Sequence, residues 1–331
     1  MRSKYLFATG VLRVRETKLL KLGDIERMID APSIEVAYKV FNDLDYADEL
    51  ADVKSPQEFN EVLDHDLRQV KELFRAIIPD KELLDILFLG YDFHNIKLFF
   101  EAKYTEKDLD DFVSHLGDID IGALRKFIIK DEEVVLPEDV EEIVRQAKQV
   151  YEKDFDPHQL DAFLDKKYFE LLEKKASHFG NKFICDLIAT KISIANVKIF
   201  LRAKKMGKPL EEVQADFIDG GTILRTDLIK VYGEELKTGI EVCKRGFDDV
   251  KLKEELDKYL DHRKLWRLEK AFENHEIRFC RKAKYIAYGP EIAVAYYWAK
   301  ENAMRNIRLV MMAKLNGIPA EEIKERVREI Y

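Results

Sequence analysis

The run Asp64-His65-Asp66 is the densest group of potential metal ligands in the sequence. Two carboxylates and an imidazole are donors that zinc and other divalent ions accept. The run lies in a segment with apolar residues at helical spacing, and consecutive side chains on a helix point about 100° apart. Because adjacent side chains diverge in this way, they cannot converge on one ion. We interpret the run as surface polar residues and predict no metal site.

Residue patterns for nucleotide binding or acid–base catalysis are absent from the sequence, or their residues occur singly. The phosphate-binding pattern Gly-x-x-x-x-Gly-Lys-Ser/Thr does not occur, and Gly220-Gly221 alone does not make a phosphate loop. His94 and His275 belong to no acid–base pattern, so we interpret them as packing or surface residues. The sequence thus predicts no catalytic residue, no nucleotide site and no cofactor, and a protein that is not an enzyme.

A nine-residue motif occurs three times and places a lysine eight positions after an asparagine. The pattern is Asn, branched aliphatic, base, aliphatic, three variable residues, Ala and Lys. A symmetric arrangement of the three Asn–Lys pairs could form a ligand site. A packing and capping motif copied by duplication is the interpretation that we favour. The pairs are Asn95 and Lys103, Asn196 and Lys204, and Asn306 and Lys314.

The spacing of the motifs predicts the domain organisation. The copies start 101 and 110 residues apart, so three similar units would fill the 331-residue chain. We predict helical repeats over roughly residues 22–125, 126–230 and 231–331. The third unit ends sooner after its asparagine than the other two. We therefore predict that the N-terminal helix, residues 1–21, packs on the third repeat.

Placed on a helix, the apolar positions of the motif cover an arc of roughly 200°, wider than the ~100° stripe of an ordinary surface helix. We therefore expect each motif helix to lie between neighbours, with a buried asparagine that needs hydrogen-bond partners. The lysine falls at the helix C-terminus, where a cation meets the helix dipole.

The residues after the motif predict how each helix ends. Gly207 and Pro209 follow the second copy, and Gly317 and Pro319 follow the third at the same offsets. We expect each glycine to adopt the left-handed conformation and each proline to start a new helix. In the first copy, we predict that Thr105 caps the next helix instead.

The composition is that of a helix-rich chain with a substantial core. Hydrophobic residues make up 47% and charged residues 36%, with only 14 glycines and 8 prolines. No apolar run is long enough to span a bilayer, and the net charge of −8 argues against a nucleic-acid partner. An odd number of widely spaced cysteines argues against a disulfide framework and indicates a reducing compartment. They are Cys185, Cys243 and Cys280.

Two basic tracts stand out, Lys198–Lys208 and Arg278–Tyr285. Either could face lipid headgroups or an acidic partner. A solvated helix face is the interpretation that we favour for a chain with 56 bases and 64 acids. The cluster Tyr296-Tyr297-Trp298 is predicted to lie in the core.

Several of these stretches together resemble one family, the C-type subunits of the archaeal and bacterial V/A-type ATPases, whose eukaryotic counterpart is the d-type subunit of the vacuolar ATPase. The resemblance covers essentially the full chain and includes the triplication. The stretches that carry it, besides the Asn-led motifs, are Tyr5-Leu6-Phe7-Ala8, Leu12-Arg13-Val14-Arg15-Glu16, Asp24-Ile25-Glu26-Arg27, Ala31-Pro32-Ser33 and Asp43-Leu44-Asp45-Tyr46.

The resemblance implies an all-α protein of three similar helical domains, arranged with pseudo-threefold symmetry as a funnel or ring. It implies a non-catalytic rotor component of the central stalk in a complex that couples ATP synthesis or hydrolysis to ion transport, hydrogen ions included. The implied partners are shaft subunits of the D and F type and the membrane proteolipid ring. The implied location is the cytoplasmic face of the membrane, reached through the ring, with no nucleic acid and no directly bound nucleotide.

Three other functions are compatible with a helical triplication. The chain could be an α-helical scaffold or adaptor for a soluble partner. An all-α enzyme would need a deep polar pocket with converging ionisable groups. An RNA-binding helical repeat would need a continuous basic groove.

Overall fold

The computed structural model describes residues 2–42, 58–153 and 156–331. Within these ranges the regular structure is helical, with sixteen α-helices and no β-strand, so the predicted all-α class is confirmed. The part of the family resemblance at Asp43–Tyr46 lies outside the described residues. In chain order the helices are α1 Leu6–Glu16, α2 Leu22–Asp30, α3 Ile34–Asn42, α4 Phe59–Ile77, α5 Lys81–Thr105, α6 Ile121–Ile128, α7 Glu138–Lys153, α8 Pro157–Phe179, α9 Lys182–Met206, α10 Leu210–Val213, α11 Arg225–Val231, α12 Leu236–Arg245, α13 Val250–His262, α14 Leu265–Cys280, α15 Pro290–Leu315 and α16 Ala320–Arg326.

The chain divides into two compact units. The first comprises Met1–Lys81 together with Asp249–Tyr331, and the second comprises Glu82–Asp248. The three Asn-led motifs lie near the C-terminal ends of the three longest helices, α5, α9 and α15. The finer division into three repeats stays a prediction.

Helix α15 is the centre of the first unit. It contacts α1, α2, α3, α4, α14 and α16, and residues 290–300 are buried without a break. A helix needs burial on all sides for that. Within the motif of the same helix, residues 306, 307, 310 and 311 are buried and only residues 308 and 312 are exposed, as the wide apolar arc predicted. The cluster Tyr296-Tyr297-Trp298 is no more than 8% exposed, which confirms that it belongs to the core.

The second unit is built around α5 and α9. On α5, residues 83–89 are buried except Asp85, and α8 packs beside it with the rings of Phe93 and Tyr168 5.4 Å apart. Helix α8 also contacts α7 and α9, and α11 contacts α12. Helix α9 also contacts α10, and the many buried residues of α5 and α9 show that both motif helices pack against neighbours.

The N-terminal helix is shorter than the predicted 1–21. After a 3₁₀ turn over Arg2–Tyr5, α1 ends at Glu16, because the N–H and the hydroxyl of Thr17 both donate to the carbonyl of Val14 and close the last turn. Helix α2 then starts at Leu22. Both helices lie against α15.

Candidate functional site

Each asparagine of the repeated motif is fully buried and binds the backbone of one residue 19 or 22 positions later. The side-chain amide donates to that residue's carbonyl, and the side-chain oxygen accepts from its N–H, at N···O distances of 2.8–3.2 Å. The expected need for hydrogen-bond partners is thus met in all three copies. The pairs are Asn95 with Ser114, Asn196 with Ile218, and Asn306 with Arg328.

Each lysine of the motif binds carbonyl oxygens at the C-terminal end of a short helix. A cation there neutralises the negative end of the helix dipole and satisfies carbonyls that lack partners within the helix. The helices are α6, α11 and α2. Lys103 binds the carbonyl of Ile128 at 2.9 Å, Lys204 those of Tyr232 and Glu234 at 2.7 Å each, and Lys314 that of Ala31 at 2.6 Å.

All three motif helices end through a left-handed residue three positions after the lysine. Gly207 and Gly317 both have a φ of 66°, which confirms the predicted glycine caps, and Pro209 and Pro319 precede α10 and α16. In the first copy the left-handed residue is Glu106, with a φ of 53°. The exit therefore has the same geometry whichever residue supplies it.

The prediction that Thr105 caps a following helix is wrong. Thr105 is the last residue of α5, and its hydroxyl donates to the carbonyl of Glu101 one turn earlier, at 2.8 Å. A hydroxyl bonded backward along its own helix is not available to cap the next segment.

These contacts define what the motif can do. The asparagine fixes the segment that follows the helix, and the lysine fixes the end of a second helix. Within the described residues, the hydrogen bonds of these side chains go to backbone groups, apart from those that Lys103 makes in its ion pair with Asp131 at 2.8 Å. The ammonium groups of Lys103 and Lys204 also lie over the rings of Tyr151 and Tyr232. We interpret the motif as a repeated internal clamp, and the six residues stay candidates for a structural role.

The three side chains of the run Asp64-His65-Asp66 each bind a different partner. Asp64 pairs with Arg308 at 3.3 Å, and the His65 ring bonds to Gln69. Within residues 2–42, 58–153 and 156–331, no group of three ligating side chains could hold a metal ion.

Asp66, however, is not the surface residue that we predicted. It is buried and forms an ion pair with the equally buried Lys300 of α15, at 2.9 Å. Burial raises the pKa of the Asp66 carboxyl, and Lys300 opposes the shift. The sequence did carry a signal, because Asp66 falls on the apolar stripe of Phe59, Val62 and Val70 in α4.

A second polar cluster, at the start of α13, was not found from the sequence. Asp249 caps α13 by accepting from the N–H of Leu252 and also binds Arg278 at 2.6 Å and His275 at 3.0 Å. Burial alone would raise the pKa of Asp249, but the hydrogen bonds from Arg278 and His275 outweigh it and lower the pKa to about 2. Arg278 continues to Glu329 of the C-terminal tail, so the cluster ties that tail to α13 and α14.

The three cysteines form no disulfide. Cys243 and Cys280 are buried and Cys185 is half-buried, so the prediction of no disulfide holds for these three residues. Burial raises the pKa of the Cys243 thiol to about 12, which keeps it in the unreactive thiol form. In the described part of the chain, no helix combines the length and the apolar character needed to cross a membrane.

Comparison with known proteins adds an independent observation. The family model described as ATP synthase (C/AC39) subunit matches residues 8–326. The chain is 22% identical to the C subunit of the V-type sodium ATPase of Enterococcus hirae over 322 residues, which cover 97% of each protein. It is 25% identical to the C subunit of the A-type ATP synthase of Desulfurococcus sp. over 341 residues, covering 98% of this chain and 91% of that protein. The C subunit of the A-type ATP synthase of Methanocaldococcus jannaschii is also 25% identical, over 97% of this chain and 85% of its own length.

Proposed function

The chain belongs to the ATP synthase (C/AC39) subunit family, and from this membership we propose that it is the rotor socket of the central stalk in a V/A-type ATPase. The family consists of non-catalytic subunits of the ATPase complex. In the proposed role, the chain receives the shaft subunits of the D and F type and joins them to the membrane proteolipid ring. It would thereby transmit torque between ATP chemistry and ion translocation at the cytoplasmic face of the membrane.

The observation that carries the proposal is the family match over residues 8–326, together with relatives aligned over nearly their full lengths. Such coverage leaves little of the chain for an unrelated activity. The resemblance recognised in the N-terminal stretches and in the triplicated motif points to the same family.

The contacts within each unit suit a mechanical part. Each ion that crosses the ring releases about 2.3 kcal/mol per 100 mV, and a socket must carry that load without opening locally. The buried asparagines bind each long helix to the segment after it, and the lysines bind a second helix to its end. Helix and connecting segment then move as one body, which favours torque transmission over local deformation.

We extend the proposal to the arrangement of the motifs. Three repeats about a pseudo-threefold axis would present three equivalent clamps, each led by Asn95, Asn196 or Asn306. Such an arrangement would bind the shaft through an extended interface of ~1,200–2,000 Å² or more, and no single residue would dominate the binding.

A pull-down of the tagged full-length chain from solubilised native membranes tests the role. We expect recovery of the proteolipid ring and the shaft subunits together. Membranes that lack the chain should keep ATP hydrolysis by the detached head but lose ATP-driven ion transport, and adding the purified chain should restore transport. Catalytic chemistry in the chain itself would instead abolish hydrolysis.

The alternative function, a scaffold for a soluble partner, predicts a different result in the same experiment. Recovery of a soluble protein without ring or shaft subunits would contradict the rotor proposal. So would intact ion transport in membranes without the chain.

A further inference from the structure

Two segments of the first unit carry many bases and almost no acid. Residues 1–23 contain six lysines and arginines and one acid, Glu16, while residues 277–290 contain four bases and no acid. The whole chain has more acids than bases, 64 against 56, so charge is segregated in these two segments. Segregation of this kind produces a local positive potential on an acidic protein.

The structure brings the two segments together. The guanidinium of Arg13 on α1 donates to the carbonyls of Ala283 and Ile286, at 2.8 Å each. The ammonium of Lys284 lies 4.3 Å from the centre of the Tyr331 ring, and the Tyr331 hydroxyl bonds to Glu16 of α1. Helix α1 and the loop after α14 therefore lie against each other and share one surface where they meet.

A cleft of about 580 Å³ opens on this surface, lined among others by Arg13, Lys21, Leu22 and Lys284. Its two acids, Glu16 and Glu329, are already bound to arginines. Within the described residues, no ion pair joins Lys21 or Lys284 to an acid of the chain. The cleft therefore offers two ammonium groups to an anion from outside.

Exposed apolar side chains lie on the same two segments as the bases, and one of them, Leu22, lines the cleft. Phe7 is 70% exposed, Val14 64%, Leu22 61% and Tyr285 93%. Phe7 and Val14 are seven residues apart, so they lie on the same outward side of α1, while Ala8 and Leu12 of the same helix are buried. Exposed large apolar residues grouped with bases are typical of a surface that a partner or a membrane covers.

The loop after α14 is longer than its counterpart in the second unit. Only Gly180 and Asn181 separate α8 from α9, whereas residues 281–289 separate α14 from α15. The additional residues include Lys282, Lys284 and Tyr285, whose side chains are all exposed. The insertion thus adds bases and an aromatic residue to the surface and little to the core.

We propose that this surface, the basic–apolar face formed by Phe7, Val14, Lys21, Leu22 and the loop 282–285, docks directly on an anionic phospholipid bilayer. The ammonium groups of the cleft bind headgroup phosphates, and the apolar side chains enter the boundary between headgroups and acyl chains. A bilayer satisfies the bases and the apolar residues at once over a convex helix and a loop tip, whereas an acidic protein surface would leave the apolar residues in water. The inference rests on the proposed function in one respect: a chain bound to the membrane ring is held beside the bilayer.

Flotation of the purified full-length chain with lipid vesicles tests the proposal. We expect binding to vesicles of equimolar phosphatidylcholine and phosphatidylglycerol and none to vesicles of phosphatidylcholine alone. Binding should weaken from about 0.05 M to about 0.5 M salt, because salt screens the attraction between bases and phosphates. The double variant Lys21→Glu/Lys284→Glu should bind about tenfold or more weakly.

Matched variants elsewhere separate this face from general charge attraction. Lys205→Glu/Lys208→Glu reverses two exposed lysines of the other basic tract, and it should bind vesicles like the wild type. Phe7→Ser/Tyr285→Ser should weaken binding severalfold, whereas Met206→Ser/Leu224→Ser, at side chains 70% and 62% exposed, should not. Circular dichroism of each variant checks that it remains folded.

Equal weakening by the control variants would overturn the assignment to this face. A wild-type chain that fails to bind the anionic vesicles would overturn the lipid proposal altogether. That failure would leave the rotor proposal intact as long as the chain still recovers ring and shaft subunits, so the two proposals fail separately.

Discussion

A buried asparagine can hold a passing backbone segment because its amide supplies one acceptor and two donors on a short side chain. Asn306 uses both kinds of group on Arg328, at 2.9 and 3.2 Å. Removing the amide leaves a partly buried N–H and carbonyl without this partner, and each such loss costs about 1–3 kcal/mol when the group is fully buried. We expect Asn306→Ala to lower the free energy of unfolding by about 2 kcal/mol or more, measured by urea denaturation.

Asn316→Ala, at the C-cap directly after the same helix, provides the matched control. Its side chain is exposed and bonds only to the carbonyl of Met312, so the expected loss is below about 0.5 kcal/mol. Equal losses in the two variants would show that the buried clamp contributes nothing particular to stability.

Asp249 predicts a pH dependence with a defined sign. Its folded pKa of about 2 lies below the ordinary value of 3.8, so the carboxylate contributes stability above about pH 4 that is lost as the pH falls toward 2. The shift corresponds to about 2 kcal/mol. We expect the stability difference between wild type and Asp249→Asn to shrink by that order between pH 5 and pH 2.

Denaturant titrations of both proteins across this pH range measure the difference directly. The comparison cancels groups that shift the other way, such as Asp66, whose pKa burial raises. A difference that stays constant with pH would mean that Arg278 and His275 do not stabilise the charged carboxylate.

At the residue scale, the sequence predicted which residues are buried better than it predicted which groups they bind. The motif identified Asn196 and Lys204, and the wide apolar arc required that the asparagine be buried. Their partners are backbone groups of Ile218 and Tyr232, and backbone groups carry no sequence signal. The prediction for Asp66 was wrong because an acid on an apolar stripe is buried only if a cation faces it. Its partner, Lys300, is 234 positions later, and the sequence does not show that the two meet.

At the element scale, the exit from each motif helix requires a left-handed residue, which glycine adopts at no steric cost and other L-residues adopt with strain. Glu106 and Gly207 occupy this position in α5 and α9 of the second unit. Glu106→Gly should therefore raise the free energy of unfolding by about 0.5–1 kcal/mol, and Gly207→Ala should lower it by about 1 kcal/mol.

Thermal or urea unfolding measures the change in the free energy of unfolding for each variant. The two changes have opposite signs if the backbone conformation decides the effect. An added methyl at Gly207 meets no atom within 4 Å, so steric overlap is not a competing cause. Changes of the same sign would contradict the shared exit geometry.

The lysine clamp of the third motif joins the two ends of the chain. Lys314 of α15 binds the carbonyl of Ala31 after α2, while Lys324 of α16 forms a more exposed ion pair with Asp30 beside it. We expect Lys314→Met to destabilise by about 1–2 kcal/mol and to speed hydrogen exchange in α2. Lys324→Met should cost no more than about 1 kcal/mol, because exposed ion pairs contribute little.

These elements were only partly predictable. The glycine caps could be predicted because glycine favours the left-handed conformation. The left-handed conformation of Glu106 could not, because it comes from the path that the chain takes after the helix and not from the residue type. The clamp between Lys314 and Ala31 spans 283 positions, and a contact so distant along the chain leaves no local pattern.

At the scale of the whole molecule, the ends of the chain build one unit together. Residues before Lys81 cluster with those after Asp249, and α15 packs against four helices from the N-terminal part. The all-α class was evident from the sequence. The division into two compact units was not, because it depends on contacts between segments that are far apart in the sequence and not on the composition of any one of them.

Removal of residues 1–21 tests this organisation directly. The truncation uncovers apolar surface that Tyr5, Ala8 and Leu12 bury, and it removes the bonds from Arg13 to the loop before α15. Since α1 covers α15, we expect amide exchange in residues 281–300 to speed up by about tenfold or more, measured by mass spectrometry. Residues 82–248 of the same molecule are the internal control and should exchange as in the full chain, because α1 belongs to the other unit. Exchange that rises equally in both parts, or in neither, would mean that the N-terminal segment does not complete the unit formed by the C-terminal third.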